Sequence, residues 1–169
     1  MTTITQPLRD EHKELLPEVE LLRLAGDAVT GTAVNDTLRQ TAVDAYNFLA
    51  HHLIPHAQAE DQALYPVVQR VMGAPQATAT MSRDHQEVGD LTAQLKALLP
   101  ALEKGALSAD HANDLRRILY GLYSLVKVHF AKEEEIYLPL LDASLTQAEA
   151  NDMFEKMEAA AGEAKRQAA

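Results

Sequence analysis

The sequence contains no cysteine and no tryptophan, and aromatic residues make up only 5% of its 169 positions. Without thiols there is no disulfide framework, no thiolate metal site and no cysteine nucleophile, so any metal must be held by nitrogen and oxygen donors. Basic clusters with interleaved aromatics are also missing. The balance of 15 basic to 25 acidic residues gives a formal charge of −10, a surface that repels phosphate backbones and anionic headgroups. Neither nucleic acid nor membrane is therefore an expected partner. No uninterrupted apolar run approaches the roughly 18 to 20 residues of a membrane span, and the first nine residues hold no leader-like apolar stretch. A cytoplasmic location is the expectation.

What is present is alanine and leucine in every segment, with 47% hydrophobic and 24% charged residues, a balance that favours helix in one folded domain spanning 1–169. Thr5-Gln6-Pro7 reads as the start of a helix over about 7–29, because the missing N–H of Pro7 costs nothing in a first turn. Gly31-Thr32 breaks that pattern. A second helix through Leu38, Leu49, Leu53, Leu64 and Val68 ends at the Gly73-Ala74-Pro75 turn, and Pro55 is expected to interrupt it. A third, through Met81, Val88, Leu91 and Leu95, closes between Pro100 and Gly105. Ser108 caps a fourth that runs through Leu115, Ile118, Leu122 and Val126 to about Leu141. Thr146-Gln147-Ala148-Glu149 is a capping box, and it opens a fifth helix whose apolar stripe includes Met153, Phe154 and Met157. That helix is expected to cover core, with a lid over ligand entry as the other reading. The predicted fold is all-α: an up-down-up-down four-helix bundle over about 7–142 with an additional C-terminal helix over about 145–165.

The chemistry-bearing residues recur at one offset. His56-Ala57-Gln58-Ala59-Glu60 is matched 73 residues later by His129-Phe130-Ala131-Lys132-Glu133, Pro66 by Pro139, and His12 by His85 with acidic neighbours in both places. On a helix, positions i and i+4 share a face, so each His-x-x-x-Glu offers an imidazole and a carboxylate together. Each half of the chain thus carries one histidine and, 44 residues later, a His-x-x-x-Glu, the signature of a duplicated helical hairpin. Facing ligands in a hairpin must lie about equally far from its loop. The midpoints of His12 and His56 and of His85 and His129 both fall at predicted turns, which brings all six side chains to one level.

Four imidazoles and two carboxylates about an approximate two-fold suit a two-metal site with bridging glutamates. Two six-coordinate ions need about twelve ligand positions; two glutamates, four histidines and an oxo or hydroxo bridge leave roughly one open on each ion. Such donors suit iron, manganese or zinc. Other residues are expected to stand apart. His111 lies too far along its helix and should be solvated, and His52 should pack beside the ligands or support them rather than bind metal. Tyr65 and Tyr137 should pack in the core with their hydroxyls hydrogen-bonded, whereas Asp61, Glu134 and Glu135 should lie on a solvated face.

At these residues the chain resembles the hemerythrin-like family, the histidine-histidine-glutamate (HHE) cation-binding domain, over about residues 8–142. The resemblance rests on the order His12, His56-x-x-x-Glu60, His85, His129-x-x-x-Glu133. It implies a non-haem di-iron centre, two iron ions with an oxo or hydroxo bridge, held by those six residues. The invertebrate oxygen carriers of the family have a His-x-x-x-His on the third helix, whereas Gly89 stands four residues after His85 here. The expected activity is accordingly reaction with a small diatomic or peroxide ligand (hydrogen peroxide, nitric oxide or oxygen) in oxidative or nitrosative stress defence, of catalase-like, peroxidase-like or nitric oxide-consuming type. An oxygen or iron binding or sensing protein without turnover is the alternative class.

Overall fold

The computed structural model describes residues 3–168; Met1, Thr2 and Ala169, which complete the expected 1–169 span, lie outside the described residues. Five helical rods build it. α1 is Gln6–Ala28. α2 covers 36–72 in three pieces, Asp36–Phe48, Ile54–Ala59 and Tyr65–Met72, joined by π-helical turns at Leu49–Leu53 and Glu60–Leu64. α3 is Ala79–Leu102, α4 covers 109–144 as Ala109–Lys132 and Leu138–Ser144 with a π turn at Glu133–Tyr137 between them, and α5 is Gln147–Ala168.

Pro55 does not interrupt α2 as the sequence suggested. A proline inside a helix lacks the N–H for the usual bond and crowds the carbonyl four residues back. Widening the preceding turn relieves both problems. Ile54, Tyr65 and Leu138, the residues just ahead of Pro55, Pro66 and Pro139, each donate five residues back, to the carbonyls of Leu49, Glu60 and Glu133. Two of these π turns begin at the glutamates of the repeated motif, so the duplicated prolines locally reset the helix register where those carboxylates sit.

Both hairpin loops lie at one end of the bundle and pair with each other. Val34 N donates to Gly105 O at 3.1 Å and Leu107 N to Thr32 O at 2.7 Å, around an isolated antiparallel bridge between Ala33 and Ala106. Those two alanines are related by the same 73-residue offset, so the internal two-fold passes through this contact. Asn35 caps α2 by accepting from Leu38 N at 2.8 Å, and Ser108 caps α4 by accepting from His111 N at 3.1 Å. At the opposite end the repeat is visible again. Thr5 donates from N and Oγ1 to Asp142 Oδ1, both at 2.9 Å, and at the corresponding positions Gln69 Nε2 donates to Thr78 Oγ1 at 2.7 Å. Gly73, with φ of 63°, ends α2 in the left-handed conformation that a glycine adopts without strain.

Apolar side chains form two clusters. One, toward the hairpin loops, includes Leu22, Leu38, Leu49, Leu95, Leu115 and Leu122; the other includes Leu8, Leu64, Met81, Leu138 and Leu141 together with Ala150, Met153 and Met157 of α5. Each fully buried leucine contributes about 1.5 to 3 kcal/mol. Between the clusters His12, His56, Glu60, His129 and Glu133 are all buried. α5 packs along the stretch of α2 that carries His56 and Glu60, covering core as expected. Its Phe154 and Met157 also wall a cavity of about 500 Å³ that reaches Glu11 and the outer edge of His56. α1 and α4 approach closely at Gly26, where a Cβ would stand 2.9 Å from the Tyr120 ring.

Candidate metal centre

Each rod of the four-helix part supplies one histidine, and α2 and α4 add a glutamate one turn later at the mouth of a π turn. The six side chains converge between the two apolar clusters. Glu60 divides its oxygens between two imidazole pairs. Its Oε1 faces His56 Nε2 at 3.0 Å and His12 Nε2 at 3.7 Å, while Oε2 faces His85 Nε2 at 3.3 Å and His129 Nε2 at 3.9 Å. Glu133 is divided in the same sense, with Oε2 at 3.4 Å from His12 Nε2 and Oε1 at 3.5 Å from His129 Nε2. His12, His56, Glu60 and Glu133 gather donors for one cation, and Glu60, His85 and His129 for a second.

The inward-facing atoms His12 Nε2, His56 Nε2, both Glu60 oxygens and Glu133 Oε2 are buried with no hydrogen-bond partner among the described residues. Buried polar atoms without partners cost about 1 to 3 kcal/mol each, more when charged, so this lining fits a positive ion that accepts nitrogen and oxygen lone pairs.

Behind each imidazole stands a carboxylate. His12 Nδ1 lies 2.9 Å from Glu134 Oε1, His85 Nδ1 2.9 Å from Asp61 Oδ2, and His129 Nδ1 3.1 Å from Asp84 Oδ2. His56 Nδ1 is 3.1 Å from Glu11 Oε1, without hydrogen-bond geometry. An ionised carboxylate only accepts, so Nδ1 carries the proton in those bonds and Nε2 can turn a lone pair inward. This corrects the expectation that Asp61 and Glu134 are merely solvated. Each follows a ligand glutamate in sequence, yet it reaches a histidine on a neighbouring helix of the other half. Their own supports differ: Arg9 donates to Glu134, Ser82 Oγ to Asp61 Oδ1 at 2.5 Å, and Lys132 to Asp84.

Burial opposes charge on these histidines, but the carboxylates prevail. Burial lowers His12, and the nearby Glu60 and Glu133 carboxylates raise it above its ordinary value; His85 is raised against burial by Asp61 and Glu60. His56 stands well above the usual range, its burial outweighed by the Glu60 charge and Glu11, and His129 is pushed up to about 10 by Glu133 and Glu60 despite burial. Glu60 falls well below its usual value, because the His56 charge and the His12 and His129 imidazoles close to it outweigh burial.

Tyr65 also belongs to this layer. Its hydroxyl donates to Glu133 Oε1 at 2.8 Å and lies 3.2 Å and 3.3 Å from Nε2 of His129 and His85. Burial, then the Glu60 and Glu133 charges, drive its pKa upward, which keeps the phenol protonated as a donor. Tyr137 instead donates to Ala77 O at 3.0 Å, away from the site. His52 is exposed and has no hydrogen bond to the site among the described residues, contrary to expectation, while His111 and Glu135 are exposed as expected.

An all-helical bundle with a buried layer of divided carboxylates and inward imidazoles defines a helical metal-binding domain. The sequence model of the hemerythrin HHE cation-binding domain matches residues 3–141, and the chain belongs to that family. Comparison with curated proteins and with solved structures gave no match. Among the described residues no helix is long and apolar enough to cross a membrane.

Proposed function

We propose that this chain is a non-haem di-iron protein that reacts with small oxidants, hydrogen peroxide, nitric oxide or oxygen, in oxidative or nitrosative stress defence. His12, His56, Glu60, His85, His129 and Glu133 would hold the two irons. The observation that carries this reading is the unpartnered inward lining of Glu60, Glu133, His12 and His56 in a layer closed to solvent: Glu60 and Glu133 are each 0% exposed. Bound there, two irons supply paired Lewis acids that also change oxidation state.

The protein's own part is to hold and exclude. Glu134, Asp61 and Asp84 keep a proton on Nδ1 of their histidines, which fixes each ring and leaves Nε2 directed inward. Tyr65 keeps a proton at Glu133 Oε1. The apolar clusters on either side keep bulk water away from the carboxylates of the layer.

The test is metal analysis followed by an optical spectrum of the reduced protein mixed with oxygen, nitric oxide and peroxide. Two irons per chain and rapid oxidation by oxygen to a stable spectrum are expected. Zinc after growth with ample iron, or one metal per chain, would sink the di-iron reading. A persistent oxygen adduct that reverses when oxygen is removed would restore the binding protein without turnover.

A further inference from the structure

We infer that the cavity enclosed by α1, α2 and α5 is a binding site for a small uncharged aromatic alcohol, of the phenol or naphthol class. This goes beyond the proposed function and does not depend on which metal the inward layer holds. The cavity has a volume of about 500 Å³, within the range of pockets that take small organic molecules. Leu8, Phe154 and Met157 give it an apolar wall, while Glu11, Glu158, Lys165 and the outer edge of His56 are its polar groups.

His56 differs from the other three histidines on this outer edge. They have Nδ1 bonded to a carboxylate, whereas His56 Nδ1 is buried with no hydrogen-bond partner among the described residues. Glu11 covers it at 3.1 Å but off the N–H direction, and being half-exposed it is free to turn aside. The repeat shows how the matching place is closed: His129 Nδ1 bonds Asp84, and Lys132, which braces Asp84, stands where this side has Ala59. Nδ1–H lacks an acceptor and the ionised Glu11 lacks a donor, and one hydroxyl oxygen is both. An ammonium group cannot accept from Nδ1. A carboxylate would meet Glu11 and Glu158 against the single Lys165. The rest of the guest must be apolar, and Phe154 and Met157 offer a ring face and a polarizable sulfur to an aromatic body.

Titration of the full-length metal-free chain with 2-naphthol tests this, read by naphthol fluorescence, which the absence of tryptophan leaves unobscured. One saturable site with a Kd of about 0.1 mM or tighter is expected. Naphthalene, which lacks the hydroxyl, and 2-naphthoate, which carries a charge, should each bind about tenfold more weakly or worse. Ala161→Leu, which fills the cavity from α5, should cut naphthol affinity about tenfold. Glu11→Gln should narrow the gap between naphthol and naphthoate, and Leu16→Ala, in a separate groove between α1 and α4, should change nothing. The methyl NMR signal of Met157 should move on saturation while that of exposed Met72 stays, which locates the guest even if Ala161→Leu folds poorly. Iron-loaded chain should bind naphthol equally, since His56 meets the guest through the nitrogen turned away from Glu60. No saturable binding, equal affinity for naphthalene, a still Met157 signal, or binding that appears only with iron would each overturn the site.

Discussion

Around His12 and His56 the internal repeat ends in a stacked Phe130 ring and in Glu11, a half-exposed carboxylate with no cation paired to it among the described residues; around His85 and His129 it ends in the Tyr65 hydroxyl, in Ala57 where the other side has Phe130, and in Asp84 braced by Lys132. Each contrast sits at positions related by 73 residues: Phe130 to Ala57, Leu138 to Tyr65, and Lys132 to Ala59. Duplication therefore accounts for the six inward groups, and substitution at neighbouring positions makes the two sides unequal. The arrangement separates the six inward groups from the residues that make the two sides unequal, and the two can be perturbed independently.

The largest effect is expected at the group shared by both sides. Because Glu60 turns one oxygen to each imidazole pair, Glu60→Ala should remove nearly all bound metal rather than half of it. Glu133→Ala should also cost more than one equivalent, since its oxygens are divided between His12 and His129. Metal analysis after dialysis measures both. A Glu60→Ala protein that keeps a full single equivalent would break the comparison, for one side would then stand without the shared carboxylate.

A second prediction concerns pH in the metal-free protein. All four histidines have raised folded-state pKa values, so their stabilisation is fully present below the unfolded value of about 6.5 and is lost as pH rises through the raised values, for His129 about 10. Glu60, Glu11, Asp61 and Asp84 are lowered, so theirs is present above the ordinary carboxylate range of about 4 and is lost as pH falls through the lowered values. The metal-free melting temperature should peak between about pH 4.5 and 6.5. Metal must displace protons from these imidazoles, so loading at neutral pH should release protons and tighten as pH rises. A melting temperature that climbs steadily from pH 6 to 9 would contradict the assigned directions.

Much of this plan could be read from residue order. The 73-residue offset located the six inward side chains and the two hairpin turns, because one helical turn places His and Glu on a common face and equal distance from a loop places hairpin partners opposite each other. The π turns were less accessible: Pro55, Pro66 and Pro139 announce a disturbance, but whether a helix kinks, stops or widens depends on what packs against it. Asp61 and Glu134 were assigned to a solvated face because each is one residue past a ligand, about 100° around a regular helix. Their partners come from other helices, and spacing along one helix does not encode that. A signal was available nonetheless, since the acids at 11 and 84 and at 61 and 134 recur with the ligands. Tyr65 had no such signal, its counterpart being Leu138.

The smallest effects should separate the carboxylates that support the histidines. Asp84 accepts from His129 Nδ1 and is held in turn by Lys132, so Asp84→Asn replaces an acceptor oxygen or offers an amide that turns the ring; removing a partner of this kind typically costs about 10- to 100-fold in metal affinity. Glu11 occupies the matching place for His56, but it lies at 3.1 Å without hydrogen-bond geometry, its side chain is 49% exposed, and position 59 provides an alanine where position 132 provides the lysine. Water can replace much of what so exposed a group contributes, so Glu11→Gln should cost less than about threefold. Competition with a chelator of known affinity measures both variants on the same scale. Equal losses would mean that His56 depends on its carboxylate as fully as His129 does, and the inequality of the two sides would then be confined to Tyr65 and to Phe130 against Ala57.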